Sequence, residues 1–229
     1  VSIPGSEYLT IVLHAIAQSF LIPVVVGLLL MILIVFMELG NFIAERQKRK
    51  EAKQVDLVEI FSDVKENLPW QKNNIYQVIE NNGLTQRQKD LIYDFMSKEN
   101  IGKSSRKILA RDILDQEEFR MKKTLDKTDL ITKLGPVLGL MGTLIPLGPG
   151  LAHLGQGDVV GLSEAVIIAF DTTVVGVAVG AIASLISKIR RRWYEKDINR
   201  MEVLLELIEG DEEIVEQEEK KNTVRRTGN

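Results

Sequence analysis

A single carboxylate interrupts a long uncharged run: between Ala165 and Ser187 the only charged residue is Asp171. An acid so far inside an apolar helix is costly unless it is paired or neutralised, and it therefore counts as a functional candidate. Two roles are open to it. It can hydrogen-bond structurally, with Gln18, His14 or a neighbouring subunit as partner, or it can serve as an ion-relay carboxylate. Counted at about 1.5 Å per residue from the outer ends of the apolar stretches, Gln18 comes to a comparable depth and His14 lies somewhat shallower. Viewed down the helix, Asp171 falls on the side of Glu164, opposite a strip that starts at Thr173.

That strip is the second chemical signal. At about 100° per residue, Thr173, Gly176, Gly180, Ser184 and Ser187 share one helical face. In the preceding apolar stretch Pro136, Gly139, Thr143, Pro146 and Gly150 do the same. Small residues let helices approach closely, and dispersion then holds them together, so tight packing is the plain reading of the glycines. Thr143 and Thr173 fit that reading less well. A hydroxyl both donates and accepts, which suits it to relaying a proton or coordinating a cation.

The elements that must carry these residues are apolar helices. Tyr8–Met37 and Leu134–Gly157 contain no Asp, Glu, Lys or Arg, whereas 38–133 and 188–229 are densely charged. A hydrocarbon core of roughly 30 Å needs about 20 helical residues. Spans are therefore predicted at 11–37, 134–154 and 162–187, the last two joined by a short hairpin at 155–161. The first stretch is too long for a signal-peptide core and lacks a preceding basic residue, so it is expected to be retained. Basic clusters follow span one (Glu45–Lys50) and span three (Lys188–Arg192), while 1–10 and 155–161 hold no Lys or Arg. Positive residues stay inside, which puts the N-terminus outside and both charged regions in the cytoplasm.

The charged regions also read as helical. Thr85-Gln-Arg-Gln88 is a capping box ahead of an apolar face made by Leu91, Ile92, Phe95 and Met96. Breaks are expected at Leu68-Pro69-Trp70 and Asn81-Asn-Gly83. A helix carrying Ile108, Ile113, Leu114, Phe119, Leu125 and Leu130 is expected to run from about 104 into span two. After span three, Tyr194, Ile198, Met201, Leu205 and Ile208 form a coiled-coil-like stripe over 188–210. The stripe can pack on 38–133 of the same subunit, between subunits, or both. Gly210 is expected to end that helix, leaving a flexible acidic tail at 211–229. The fold class is thus all-α: three transmembrane helices with an extended helical cytoplasmic domain.

Several chemistries are excluded or weak. There is no cysteine, and the two histidines, His14 and His153, make a metal centre or a catalytic triad improbable. No nucleophile–base pair marks an enzyme, and no cofactor or metal is expected. Gly102-Lys103-Ser104 lacks the earlier glycine of a phosphate-binding loop, since Ser97 stands there. The basic run at 46–50 adjoins a span, so it suits lipid headgroups rather than nucleic acid.

Pro136-Val-Leu-Gly-Leu-Met-Gly-Thr143 resembles the P-x-x-G-L-x-G-T motif of the MotA/TolQ/ExbB proton-channel family, and Thr173-Val-Val-Gly176 resembles the T-A-x-G of its last span. The three-span layout is similar to that of ExbB and TolQ. Ile182 stands near where the family usually has a proline, and Asp171, Pro146 and Pro149 lie outside its motif. The resemblance implies a homopentamer in the cell membrane around two copies of an ExbD/TolR/MotB-like partner, whose single span carries an aspartate. It implies a motor in which H⁺, or Na⁺, loads that aspartate and drives rotation. Thr143 and Thr173 would then face the pore, with Pro136, Gly139, Gly176 and Gly180 lining it beside them. The alternative is a non-conducting membrane scaffold or a transporter permease subunit, which tolerates loss of either hydroxyl.

Overall fold

The computed structural model describes residues 6–51, 76, 79–80, 83–98 and 102–227, with side chains over 8–50, 76, 79–80, 83–98, 102 and 104–209. Among the described residues there is no strand. The helices are α1 (Ser6–Ser19), α2 (Leu21–Glu51), α3 (Gln86–Ser97), α4 (Lys103–Gly155) and α5 (Val159–Thr227). Three stretches, Tyr8–Lys50, Ser104–Gly155 and Val159–Glu209, are long and apolar enough to cross a membrane. The chain divides into two compact units. An apolar one combines Val1–Ile43 with Thr124–Arg190, and a charged one combines Ala44–Lys123 with Arg191–Asn229.

The first span, expected as one helix, breaks at Phe20. Pro23 explains the break, because it has no N–H to offer the carbonyl of Ser19 and its ring crowds that carbonyl. The chain tightens there, with the Phe20 N–H bonded to Ala17 O at 3.2 Å, and restarts with Val24 N–H on Phe20 O at 3.0 Å. Beyond the break α2 buries Val24, Leu28 and Val35, with Met31 and Ile32 half-buried beside them. These pack on Leu138, Met141 and Ile145 of α4 and on Val175, Val179 and Ala183 of α5. The opposite face, with Ile22, Leu29, Leu33 and Phe36, is exposed. A helix apolar on both faces is matched to lipid.

α4 stays helical through Pro136, Pro146 and Pro149. Each proline strips the carbonyl four residues earlier of its helical partner, and hydrocarbon supplies no water to replace it. For Pro149 that carbonyl belongs to Ile145, and the side-chain amide of Gln18 donates to it at 3.3 Å. The pairing ties α1 to α4 through one orphaned acceptor. At the charged end of the apolar unit, Arg190 is buried and donates to Glu38 at 2.6 Å. The buried Ser187 hydroxyl donates to Asp129. At the other end, Gly157 takes a φ of 79° to turn the hairpin. Asp158 caps the turn by accepting from the Gly161 N–H at 3.0 Å, and that bond holds its carboxyl below the usual range.

In the charged unit, Ile92, Phe95 and Met96 of α3 pack with Ile79, Leu84, Ala110 and Ile113 against Met201, Leu204, Leu205 and Ile208 of α5. Met201, Leu205 and Ile208 of the stripe on α5 therefore pack within their own chain, while Tyr194 and Ile198 lie outside this cluster. Thr85 and Gln88 form the capping box, the Thr85 N–H donating to Gln88 Oε1 at 2.9 Å. Ile108 and Phe119 are exposed rather than on the buried face of α4. The break at Leu68–Trp70 and residues Asn81 and Asn82 lie outside the described residues, while Gly83 has the positive φ of 67° that suits a turn. α5 does not stop at Gly210 but runs to Thr227. A lone glycine costs a helix only about 1 kcal/mol, and the Glu- and Lys-rich segment after it is made of good helix formers.

Two buried polar groups hold the charged unit. Arg49 grips Asp197 with two bonds, at 3.1 and 2.7 Å. Glu117 accepts from Arg87 at 2.9 Å and from Arg120 at 2.8 Å. Burial works to raise the Glu117 carboxyl, but the bonds and charges of Arg120 and Arg87 outweigh it and hold the group below the usual carboxylate range.

Two measurements follow from these contacts. Gln18→Leu should destabilise the solubilised protein by about 1–3 kcal/mol, the cost of an unsatisfied buried carbonyl. In a Pro149→Ala background, where Ile145 O regains its helical partner, the same change should be nearly neutral. A double-mutant cycle on detergent melting would read that coupling. Because the Glu117 pKa is lowered on folding, its contribution is present above the unfolded carboxylate range near pH 4 and is lost as pH falls below it. Glu117→Gln should flatten the acid limb of thermal stability below about pH 4.5.

Candidate functional site

The hairpin of α4 and α5 is closed by a seam of backbone against backbone. A Cβ added to Gly135 would lie 2.9 Å from Gly176 O, and one on Gly139 would lie 3.2 Å from Gly176 Cα. A Cβ on Gly176 would stand 2.7 Å from Gly139 Cα, and one on Gly180 would stand 2.8 Å from Pro136 Cδ. Further along, Gly142 meets Thr172 and Gly150 meets Ala165, with added Cβ atoms at 2.5 and 2.8 Å. These pairs set the antiparallel register of the two spans. Gly139, Gly176 and Gly180 are accordingly buried in the packing of one chain and not on the hairpin's free surface. They were expected to line a pore. Their missing side chains are instead what allows the close approach. Pro136 sits at the edge of the seam and is exposed.

The two threonines are placed differently. Both are half-buried. Ile145, Leu138 and Met141 mark the side of α4 that meets α2, and Val175 marks that side of α5. Thr143 lies roughly 160° around its helix from Ile145, and Thr173 roughly 160° around from Val175. Both hydroxyls therefore stand on the side of the hairpin turned away from α2. The glycine register also keeps them within about 3 Å of each other in depth, since Gly142 is level with Thr172 and the two helices run antiparallel.

Each hydroxyl gives its hydrogen to its own helix: Thr143 to Leu140 O at 2.6 Å and Thr173 to Ala169 O at 3.0 Å. Such back-bonding fixes the rotamer and leaves the oxygen's lone pairs free to accept. Two acceptors at neighbouring depths suit a hydrated cation or a protonated acid. Thr172, which sequence reasoning passed over, is buried, bonded to Ile168 O at 2.8 Å and wedged against Gly142. It locks the rotation of α5 and so aims Thr173. The signal for it was the Thr172-Thr173 doublet, whose neighbours necessarily point about 100° apart.

Asp171 is exposed and lies on the other flank of α5 from Thr173. It meets neither of its expected partners in this chain. Gln18 is engaged by Ile145 O, and His14 sits beside Gly148 of α4, its Cε1 3.8 Å from a Cβ added there. The difference has a physical cause, because the carbonyl orphaned by Pro149 claims the Gln18 amide. Among the described residues no group of three or more His, Cys, Asp or Glu could hold a metal ion.

The seam makes a direct test possible. Gly142→Ala should cost about 1–3 kcal/mol through overpacking against Thr172. Gly40→Ala, with nothing within 4 Å of the new methyl, should be neutral or slightly stabilising. Melting in detergent would compare the two.

Set against known proteins, the chain has no match among curated sequences. A family model, the MotA/TolQ/ExbB proton channel family, matches residues 73–203. That range covers more than half of the chain and takes in the glycine seam, both half-buried threonines and Asp171. A glycine-closed hairpin presenting two neighbouring hydroxyls, on a chain matched over that range, leads to one assignment: the protein belongs to the MotA/TolQ/ExbB proton channel family.

Proposed function

We infer that this chain is the ion-conducting subunit of a motor driven by ion-motive force. Five copies surround two copies of a single-span ExbD/TolR/MotB-like partner whose membrane aspartate carries the ion. The N-terminus faces outward, and the basic ends of α2 and the third span face the cytoplasm. The observation that carries this reading is the pair Thr143 and Thr173, within about 3 Å in depth, on one side of the hairpin, with lone pairs free to accept.

In this scheme the partner supplies the carboxyl group. Once protonated, it donates to a threonine oxygen. Once charged, it draws the hydroxyl hydrogen away from the helix carbonyl, because a hydroxyl can turn. The exchange is short and reversible, so loading and unloading of the carboxyl can be coupled to rotation of the pair within the ring. H⁺ is the favoured ion, and two hydroxyl acceptors would also serve Na⁺.

The test is ion uptake into vesicles holding this chain and its partner under an imposed gradient. Thr143→Ala and Thr173→Val should each lower uptake by about tenfold or more, the equivalent of one hydrogen bond to a charged group. Thr143→Ser should retain most of it, and the mass of the complex should not change. Absence of uptake by the unmutated complex would favour a non-conducting scaffold or permease subunit, and undiminished uptake in the first two variants would remove the threonines from the ion pathway.

A further inference from the structure

Within the spans, α1 and α5 expose three ionisable side chains: His14 on α1, and Glu164 and Asp171 on α5. None of the three has a hydrogen bond or ion pair among the described residues. The glycine register brings Asp171 level with Leu144, in the middle of the second span, and Glu164 level with Leu151. His14 lies beside Gly148. In depth, therefore, the imidazole falls between the two carboxylates, about 5 Å along the axis from each.

The flanks are opposed. Glu164 and Asp171 are seven residues apart and point within roughly 20° of each other. They lie on the side of α5 away from Thr173 and clear of the seam. His14 and the exposed Gly148 mark the flank of α4 that faces away from α5. Two helices, each 8–10 Å from the next at typical packing distances of roughly that size, separate the flanks within one chain. The groups can meet only between copies.

We propose that the α5 flank bearing Glu164 and Asp171 docks on the α4 flank of a second copy of this chain, seating that copy's His14 between the two carboxylates. Bilayer chemistry rules out acyl chains as the cover, since an unpaired carboxylate in mid-membrane is strongly disfavoured. Complementarity selects the occupant: an imidazole supplies the N–H donors that two carboxylates need, and it waits at the right depth on the opposite side of the same molecule. The contact is head-to-tail, so it propagates and closes into a ring when the rotation allows. It rests on the function proposed above only for the existence of an assembly and needs no conduction.

The chain has no cysteine, which makes the test clean. The full-length His14→Cys/Asp171→Cys variant, treated in native membranes with a short bifunctional methanethiosulfonate, should give a ladder of covalent multimers. Each single variant should stay monomeric, and the two singles co-expressed should stop at dimer. Val12→Cys/Asp171→Cys, on the other side of α1, should give no ladder. As a second arm, His14→Asp should disperse the native assembly, and adding Asp171→His should restore it. Cross-linking confined to single chains, an equal ladder from the Val12 pair, or a His14→Asp assembly that stays intact would overturn the interface. Ion uptake is a separate readout. A ladder in a complex that takes up no ion upholds the interface and overturns the channel, and uptake with no ladder does the reverse.

Discussion

The near-contact of two helix backbones along Gly135, Gly139 and Gly142 is the constraint on which the apolar unit depends. Water cannot drive helices together inside a bilayer, so association rests on how many atoms can touch. With side chains removed on both sides, α4 and α5 approach until carbonyls meet α-carbons. That approach fixes register, register fixes depth, and depth keeps Thr143 and Thr173 within about 3 Å of each other along the axis. A seam of ordinary residues would leave the same two hydroxyls present but free to slide past each other. The small-residue motif thus acts on the two hydroxyls indirectly, by positioning.

A second constraint comes from the prolines of α4. Each one opens a carbonyl that hydrocarbon will not satisfy. At Ile145 the chain answers with Gln18 from α1. The first span is itself broken at Phe20 by Pro23, and the break sets the course of the segment that carries Gln18 and His14. The same local chemistry that kinks the helices also determines which polar side chains remain uncommitted. Among the ionisable side chains of the spans, His14, Glu164 and Asp171 are left without a hydrogen bond or ion pair among the described residues, and the contact proposed between copies would engage all three.

The charged unit follows different rules. Its apolar residues are buried among themselves, and its internal acids are held by arginines whose planar groups grip two oxygens at once, as Arg49 does on Asp197. Met201, Leu205 and Ile208 of the stripe on α5 are buried in this core, while Tyr194 and Ile198 lie outside it and are half-buried.

The number of spans was legible in the sequence because a bilayer tolerates few charges over some 20 residues, and that requirement is written in composition alone. The capping box at Thr85 and Gln88 was legible because it is a local bond within one turn. The opposition of Asp171 and Thr173 was legible because helical periodicity needs no partner. Other features depended on which helices meet. Gly139, Gly176 and Gly180 could line a pore or close a seam, and only the pairing of α4 with α5 assigned them to the seam. Gln18 was matched to Asp171 by depth, yet it bonds Ile145 O, because a carbonyl orphaned by a proline shows no sign of its need until a neighbouring helix is placed beside it. Thr172 became the wedge that aims Thr173 for the same reason. One-dimensional patterns report what each residue can do, and the three-dimensional packing decides which of those options is taken.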